Sequence, residues 1–275
     1  MSTLAPFLHP EGFTSPGLAA LLREASVVGE SGRYVVRSWS DFRVRGTRSV
    51  PGAAQRAEQP VVLVPGFMAG DGSLSLLSRR LRREGYRTYR SHIHANVGCT
   101  VGASALLEQR LEAVAQRRDA RVLVVGHSLG GMLARGLAVR RPDLVAGIVT
   151  LGSPMLAPAA HHASLTRSLE LLIRLGRAGI PGLMSEDCVG GSCARASFDE
   201  ARSPLPDGVS FTAVYSRRDG IVDWRACIDP LAEPVEVTAS HTGLAFDPRV
   251  ADVVVAALTR SRDDSVLEVD SGVTA

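Results

Sequence analysis

Ser128 stands at the centre of Gly126-His127-Ser128-Leu129-Gly130, a G-x-S-x-G pentapeptide fed by the apolar run Val122-Leu123-Val124-Val125 and followed by a helix-compatible sequence. Strand, sharp turn and helix in that order present a serine hydroxyl at an elbow, where it can act as a nucleophile. The flanking glycines have a steric reason, since a serine on so tight a turn is strained and its close neighbours must lack side chains. The helix that begins near Leu129 offers unpaired N–H groups and a positive dipole end to negative charge developing on a substrate. A serine hydroxyl is a weak nucleophile near neutral pH, so an imidazole has to take its proton, and a carboxylate has to fix the tautomer of that imidazole. Both groups follow downstream. Val209 to Tyr215 reads as a strand running into Ser216-Arg217-Arg218-Asp219-Gly220-Ile221-Val222-Asp223-Trp224, and Val235-Glu236-Val237 precedes Ser240-His241-Thr242-Gly243. Asp219, at the Asp-Gly turn directly after the strand, is the preferred acid. Asp223, which precedes Trp224 and can begin a helical turn, is the alternative.

The order Ser, Asp, His is neither that of chymotrypsin nor that of subtilisin. With GHSLGG, Val149-Thr150-Leu151-Gly152-Ser153-Pro154, the Tyr215-to-Val222 loop and Ser240-His241-x-Gly243, the chain resembles the α/β-hydrolase superfamily, and within it the bacterial lipases and esterases. The likeness spans roughly Pro60 to Arg260. It implies Ser128 as nucleophile, Asp219 as acid, His241 as base, and the backbone N–H groups of Phe67 and Leu129 as an oxyanion hole. Phe67 follows the apolar strand Pro60 to Val64 and the Pro65-Gly66 turn. Many relatives carry His-Gly where this chain has Pro65-Gly66, a departure that bears on how this loop is positioned.

The implied architecture is an α/β-hydrolase fold, a mostly parallel central sheet flanked by helices, with a helical lid insertion. Leu74, Leu77 and Leu81 share a helical face in Ser73 to Arg83, as Leu107, Leu111 and Val114 do in Ser104 to Arg117. Strands at Arg87 to Ser91, Arg121 to Val125 and Val145 to Leu151 alternate with these helices, which favours parallel pairing. Residues 60–262 form the hydrolase domain on this reading. Residues 1–59 are an N-terminal extension, with a short helix at Pro16 to Ala25, a strand-like segment at Tyr34 to Val44 and a linker from Gly46 to Gln59. Residues 263–275 are a mobile tail. Residues 155–208 interrupt the alternation. There Leu165, Leu169, Leu172 and Ile173 form an apolar stripe that either packs on the core or roofs an acyl pocket as a lid. The cluster Gly176, Gly179, Pro181 and Gly182 ends that helix.

A chain of 275 residues with a formal charge of +3 gives no basis for a nucleic-acid partner. All 31 basic residues are arginine, which excludes Schiff-base chemistry, pyridoxal phosphate attachment and a P-loop lysine. No apolar run reaches transmembrane length, and the first residues lack the pattern of an export signal, so a cytoplasmic protein is expected. No cofactor and no metal is expected. His92, His94, His161 and His162 lack third and fourth ligands at a committing spacing. Cys188 and Cys193 are spaced for a local disulfide or a zinc site, but free thiols are favoured, and no motif marks any of the four cysteines as activated. His127 is read as a packing and hydrogen-bonding residue of the elbow.

The resulting activity is cleavage of a carboxylic ester or thioester through an acyl-enzyme. A thioesterase releasing an acyl or polyketide chain from a carrier protein is the nearest alternative; the basic run Arg79 to Arg83 reads as a solvated helix face, with a weak contact to an acidic carrier as its second reading. A non-catalytic binding protein on the same scaffold is the third reading, disfavoured because no triad member is missing. Epoxide and haloalkane hydrolases place a carboxylate where this chain has Ser128.

Overall fold

The computed structural model describes residues 4–43 and 52–272. After an N-terminal helix, α1 (Val27–Arg43), strand and helix alternate: β1 (Pro60–Val64), α2 (Ser75–Arg83), β2 (Arg87–Arg90), α3 (Thr100–Arg118), β3 (Val122–His127), α4 (Leu129–Arg140) and β4 (Val145–Leu151). The segment 155–208 carries α5 (Ala163–Arg177), a single turn at Asp187–Gly190 and α6 (Ser192–Arg202), after which β5 (Ser210–Tyr215), β6 (Glu233–Glu236) and α7 (Pro248–Gly272) complete the chain. Among the described residues six strands form one sheet in the order β2-β1-β3-β4-β5-β6, and each pairing of neighbours in it is parallel.

A parallel sheet has to be covered on both faces, and β1, β3 and β4 are buried at every residue. Alternate side chains separate into two cores. Val61, Leu63, Leu123 and Val125 pack with Leu77 and Leu81 of α2 and with Val254 and Leu258 of α7. Val62, Val64 and Val124 face the other way, against Leu107 and Leu111 of α3 and Leu133 and Leu137 of α4. The chain leaves β1 outward to β2 and returns to β3 on the other side. The reversal opens a crevice at the carboxyl ends of β1 and β3, the usual ligand position in such sheets. Ser128 and Phe67 follow those two ends.

Arg135 of α4 is fully buried beneath this layer. Its Nη2 donates to the Ser203 carbonyl at 2.8 Å, its Nε lies 3.4 Å from Asp229 Oδ2, and the guanidinium sits 5.6 Å from the Phe211 ring centroid. Removing one partner strands the other charge in the interior, so Arg135→Ala should cost about 3–5 kcal/mol. Chemical denaturation measures this. An Asp229→Asn, Arg135→Met double variant should recover part of the loss, whereas a single variant as stable as the parent would mean that the pair carries no such penalty.

The N-terminal region departs from the expected pattern. Tyr34 to Val44 reads as strand by its β-branched and aromatic content, yet α1 is helical to Arg43, and Val44 lies outside the described residues. The reason is a polar stripe at helical spacing. Glu30 bonds Ser240, Arg33 pairs with Asp247 at 2.8 Å and Arg37 reaches Asp252, while Val28, Val36 and Trp39 are exposed. Tertiary pairing of charges thus overrides local β propensity. Within the expected linker, Ala53–Glu58 forms a short helix, and residues 44–51 lie outside the described set. Where a tail was expected at 263–275, α7 continues through Gly272.

Candidate active site

Ser128 joins β3 to α4 with φ 51° and ψ −123°, a left-handed conformation that costs a non-glycine residue of order 1–3 kcal/mol. It persists because the surroundings fix it. The Ser128 N–H donates to the Leu151 carbonyl at 2.8 Å, and its own carbonyl accepts from Gly131 N–H at 3.0 Å. The elbow tolerates no side chains beside it: a Cβ on Gly126 would strike the Gly131 backbone, and one on Gly130 the Val64 carbonyl.

Phe67 and Leu129 line the same cavity as Ser128, and among the described residues neither backbone N–H has a protein acceptor. The Phe67 loop is held from outside. Asn96 Nδ2 donates to the Pro65 carbonyl at 3.0 Å, and the Asn96 backbone exchanges hydrogen bonds with Met68 and Ala69. Gly66 lies so close to the elbow that a Cβ there would come within 3.1 Å of Ser128 Cβ, so the Pro65-Gly66 variant of the loop is compatible with close packing on the serine.

Asp219 and His241 are brought together and buried. Asp219 Oδ1 accepts from the Ile221 and Val222 N–H groups at 2.9 and 2.8 Å, which aims Oδ2 at His241 Nδ1, 2.6 Å away. A carboxylate only accepts, so Nδ1 carries the proton, and the neutral ring presents Nε2 as a bare acceptor. Burial disfavours the imidazolium, but the Asp219 charge and hydrogen bond, with Glu24 adding, hold the His241 pKa above the ordinary histidine value. Ser128 Oγ makes no hydrogen bond to a described protein group, so the structure joins two members of the expected triad directly and places the third on the cavity wall. Asp223 is engaged elsewhere, by Arg225 Nε at 3.0 Å and the Thr14 N–H at 2.9 Å.

His127 supports His241 from below, with Nε2 3.0 Å from the His241 carbonyl. Burial pushes its own pKa down to about 4. Two glutamates that sequence reasoning missed tie the Asp219 and His241 loops together. Glu24 Oε1 accepts from both the Gly220 and His241 N–H groups at 2.9 Å, and Glu30 accepts from the Ser240 N–H at 2.8 Å and the Ser240 hydroxyl at 2.5 Å. The N-terminal extension is therefore part of the site's framework.

The cavity in front of Ser128 measures about 840 Å³ including its open mouth. Its walls are mainly apolar: Leu165 and Leu169 of α5, Met184, Phe198 of α6, and Leu4 and Leu8 from the N-terminus. Leu172 does not line it. The stripe runs on past the cavity's edge, where the next turn of α5 buries Ile173 instead. His161 also lines the cavity, and His162 caps α5 by accepting from the Ser164 N–H. Among the described residues the one group of three or more metal-ligating side chains is Cys99, Cys188 and Cys193, and no histidine belongs to it. Of the basic run, Arg80 is bound to Glu84 and Asp252, and Arg82 to Thr88.

The chain belongs to the alpha/beta hydrolase family, whose model matches residues 61–273. Similar solved structures include the mature form of the Bacillus licheniformis lipase BlEst2, with TM-score 0.57 and 15% identity over 74% of this chain and 92% of that one. A structure from the metagenome-derived lipolytic enzymes LipS and LipT gives TM-score 0.53 and 14% identity over 74% and 94%. At these identities the likeness is one of fold. No helix among the described residues is long and apolar enough to cross a membrane.

Proposed function

We propose that the protein is a serine hydrolase that cleaves a carboxylic ester or thioester through an acyl-enzyme, with Ser128 as nucleophile, His241 as base and Asp219 as acid. The observation that carries this reading is the buried 2.6 Å His241–Asp219 hydrogen bond, which fixes the tautomer that leaves Nε2 as an acceptor, in a chain whose elbow serine lines a cavity with two N–H groups that have no protein acceptor among the described residues. Nε2 takes the Ser128 proton as Oγ attacks the acyl carbon. The Phe67 and Leu129 N–H groups stabilise the resulting oxyanion, a contribution of about a hundred- to a thousand-fold for each donor in comparable sites. The imidazolium then protonates the leaving group, and water repeats the sequence to release the acid.

The apolar cavity is the acyl site in this reading, and segment 155–208 is its lid. Leu165→Ala and Leu169→Ala should each weaken discrimination between long and short acyl chains by about 1–3 kcal/mol. If α5 is only structural, both substitutions lower the melting temperature and leave the ratio of kcat/KM values unchanged. The function itself is tested with p-nitrophenyl esters of increasing chain length beside acyl-pantetheine thioesters. Turnover of either class supports the reading and assigns the leaving group, and turnover of neither removes it.

A further inference from the structure

Three of the four cysteines meet at one wall of the cavity, where Thr100, Cys188, Ala194 and Ser197 line it. Cys99 is the N-cap of α3, Cys188 lies in the turn Asp187–Gly190, and Cys193 is in the first turn of α6. All are free thiols. The sulfurs of Cys99 and Cys193 are 3.3 Å apart, closer than the 3.9 Å between Cys193 and its sequence neighbour Cys188. A side-chain hydrogen bond joins the same two segments, Thr100 Oγ1 lying 3.2 Å from Ser197 Oγ. Closing the sulfurs to a bond of about 2.05 Å needs a movement of little more than an ångström.

The two thiols are also unequal. Burial opposes ionisation of Cys99, but the Gly102 N–H at the start of α3, together with the Cys193 and Cys188 thiols and the Val101 N–H, holds it below the usual thiol range. Burial pushes Cys193 up, with Cys99 and Cys188 adding to the rise. The more readily ionised thiol, at a helix N-terminus and 3.3 Å from a second one, is placed as an attacking cysteine beside a resolving one. Cys99 is half-buried, so a small reagent has a route to it. Sequence reading found no activated thiol here because Cys99 and Cys193 are 94 positions apart.

We infer that Cys99 and Cys193 form a thiol–disulfide exchange site that takes a small-molecule disulfide, glutathione disulfide being the probe, and closes into a Cys99–Cys193 bond across the cavity wall. The Cys99 thiolate attacks one sulfur of the reagent, forming a mixed disulfide and releasing one glutathione thiolate, which takes up the proton Cys99 had lost. Cys193 then gives up its proton and attacks Cys99 Sγ, forming the internal disulfide and releasing the second glutathione as a thiol. Two protein thiols are oxidised and one disulfide is reduced to two thiols. The bond ties α6 to the start of α3 and constrains the unfolded chain over a long loop. This site stands whether or not Ser128 is a nucleophile.

The test is to equilibrate the reduced full-length protein with glutathione and glutathione disulfide at graded ratios, trap the thiols by alkylation and map the peptides by mass spectrometry. The expected product is one Cys99–Cys193 disulfide, with Cys188 and Cys227 alkylated and a raised melting temperature. Cys99→Ser and Cys193→Ser should each abolish that bond and melt near the reduced parent. Three results would overturn the inference: a Cys188–Cys193 bond in the parent, a lasting glutathione adduct on Cys99 without closure, or thiols that stay reduced at every ratio. Zinc retained through purification, with the three thiols protected until a chelator removes it, would also overturn it and make the cluster a metal centre.

Discussion

Ser128→Ala should reduce turnover by about a million-fold while leaving the protein folded, the scale seen when a serine hydrolase loses its nucleophile. The side chain lines an open cavity and makes no hydrogen bond to a described protein group, so its removal deletes chemistry and little packing. The backbone adds a second, independent signature. At φ 51° an alanine bears the same strain as the serine, whereas glycine adopts that conformation freely. Ser128→Gly should therefore be as inactive as Ser128→Ala and melt at a higher temperature. A fluorophosphonate probe separates nucleophile from bystander, labelling the parent and neither variant. Equal labelling of all three, with the adduct found elsewhere, would remove Ser128 from the mechanism.

The parts of this site that were legible in the sequence are those whose signal is local. A β-branched run, a glycine-flanked serine and a helix pattern lie within a dozen residues, and β3, the elbow and α4 follow them closely. The loops that carry Asp219 and His241 were legible for the same reason, each directly after a strand or strand-like run. What stayed hidden depends on partners far along the chain. Glu24 bonds the His241 N–H across 217 positions, and no spacing rule connects them. Glu30, Arg33 and Arg37 repeat at helical spacing, but as charges among valines they read against an apolar template, and β propensity at Tyr34, Val35 and Val36 pointed to a strand. The apolar stripe of segment 155–208 was visible as a helix. How far along it the cavity reaches is set by the neighbours packed on α5, which is why Leu165 and Leu169 line the cavity and Leu172 does not.

The two carboxylates of the acid loop should separate cleanly. Asp219→Asn should lower kcat by about ten-thousand-fold, because an amide can offer its N–H to Nδ1 and so stabilise the tautomer in which Nε2 carries the proton and can no longer accept one. Asp223→Asn should do far less, since Asp223 binds Arg225 and Thr14 and makes no contact with the imidazole. The pH profile tests the same geometry by another route. His241 must be neutral to accept the serine proton, so kcat/KM falls as pH drops through its pKa. That pKa is raised, which puts the acid limb of the parent above the free-histidine value of about 6.5. The largest effect on His241 is burial, which lowers its pKa, and Asp219 supplies most of the opposing rise, so the residual activity of Asp219→Asn should show its acid limb at lower pH than the parent. Glu24 contributes in the same direction as Asp219, and Glu24→Gln should shift the limb less and cost less activity. If Asp223→Asn proves the more damaging variant and also moves the acid limb, Asp223 is the acid and the Asp219–His241 hydrogen bond is structural.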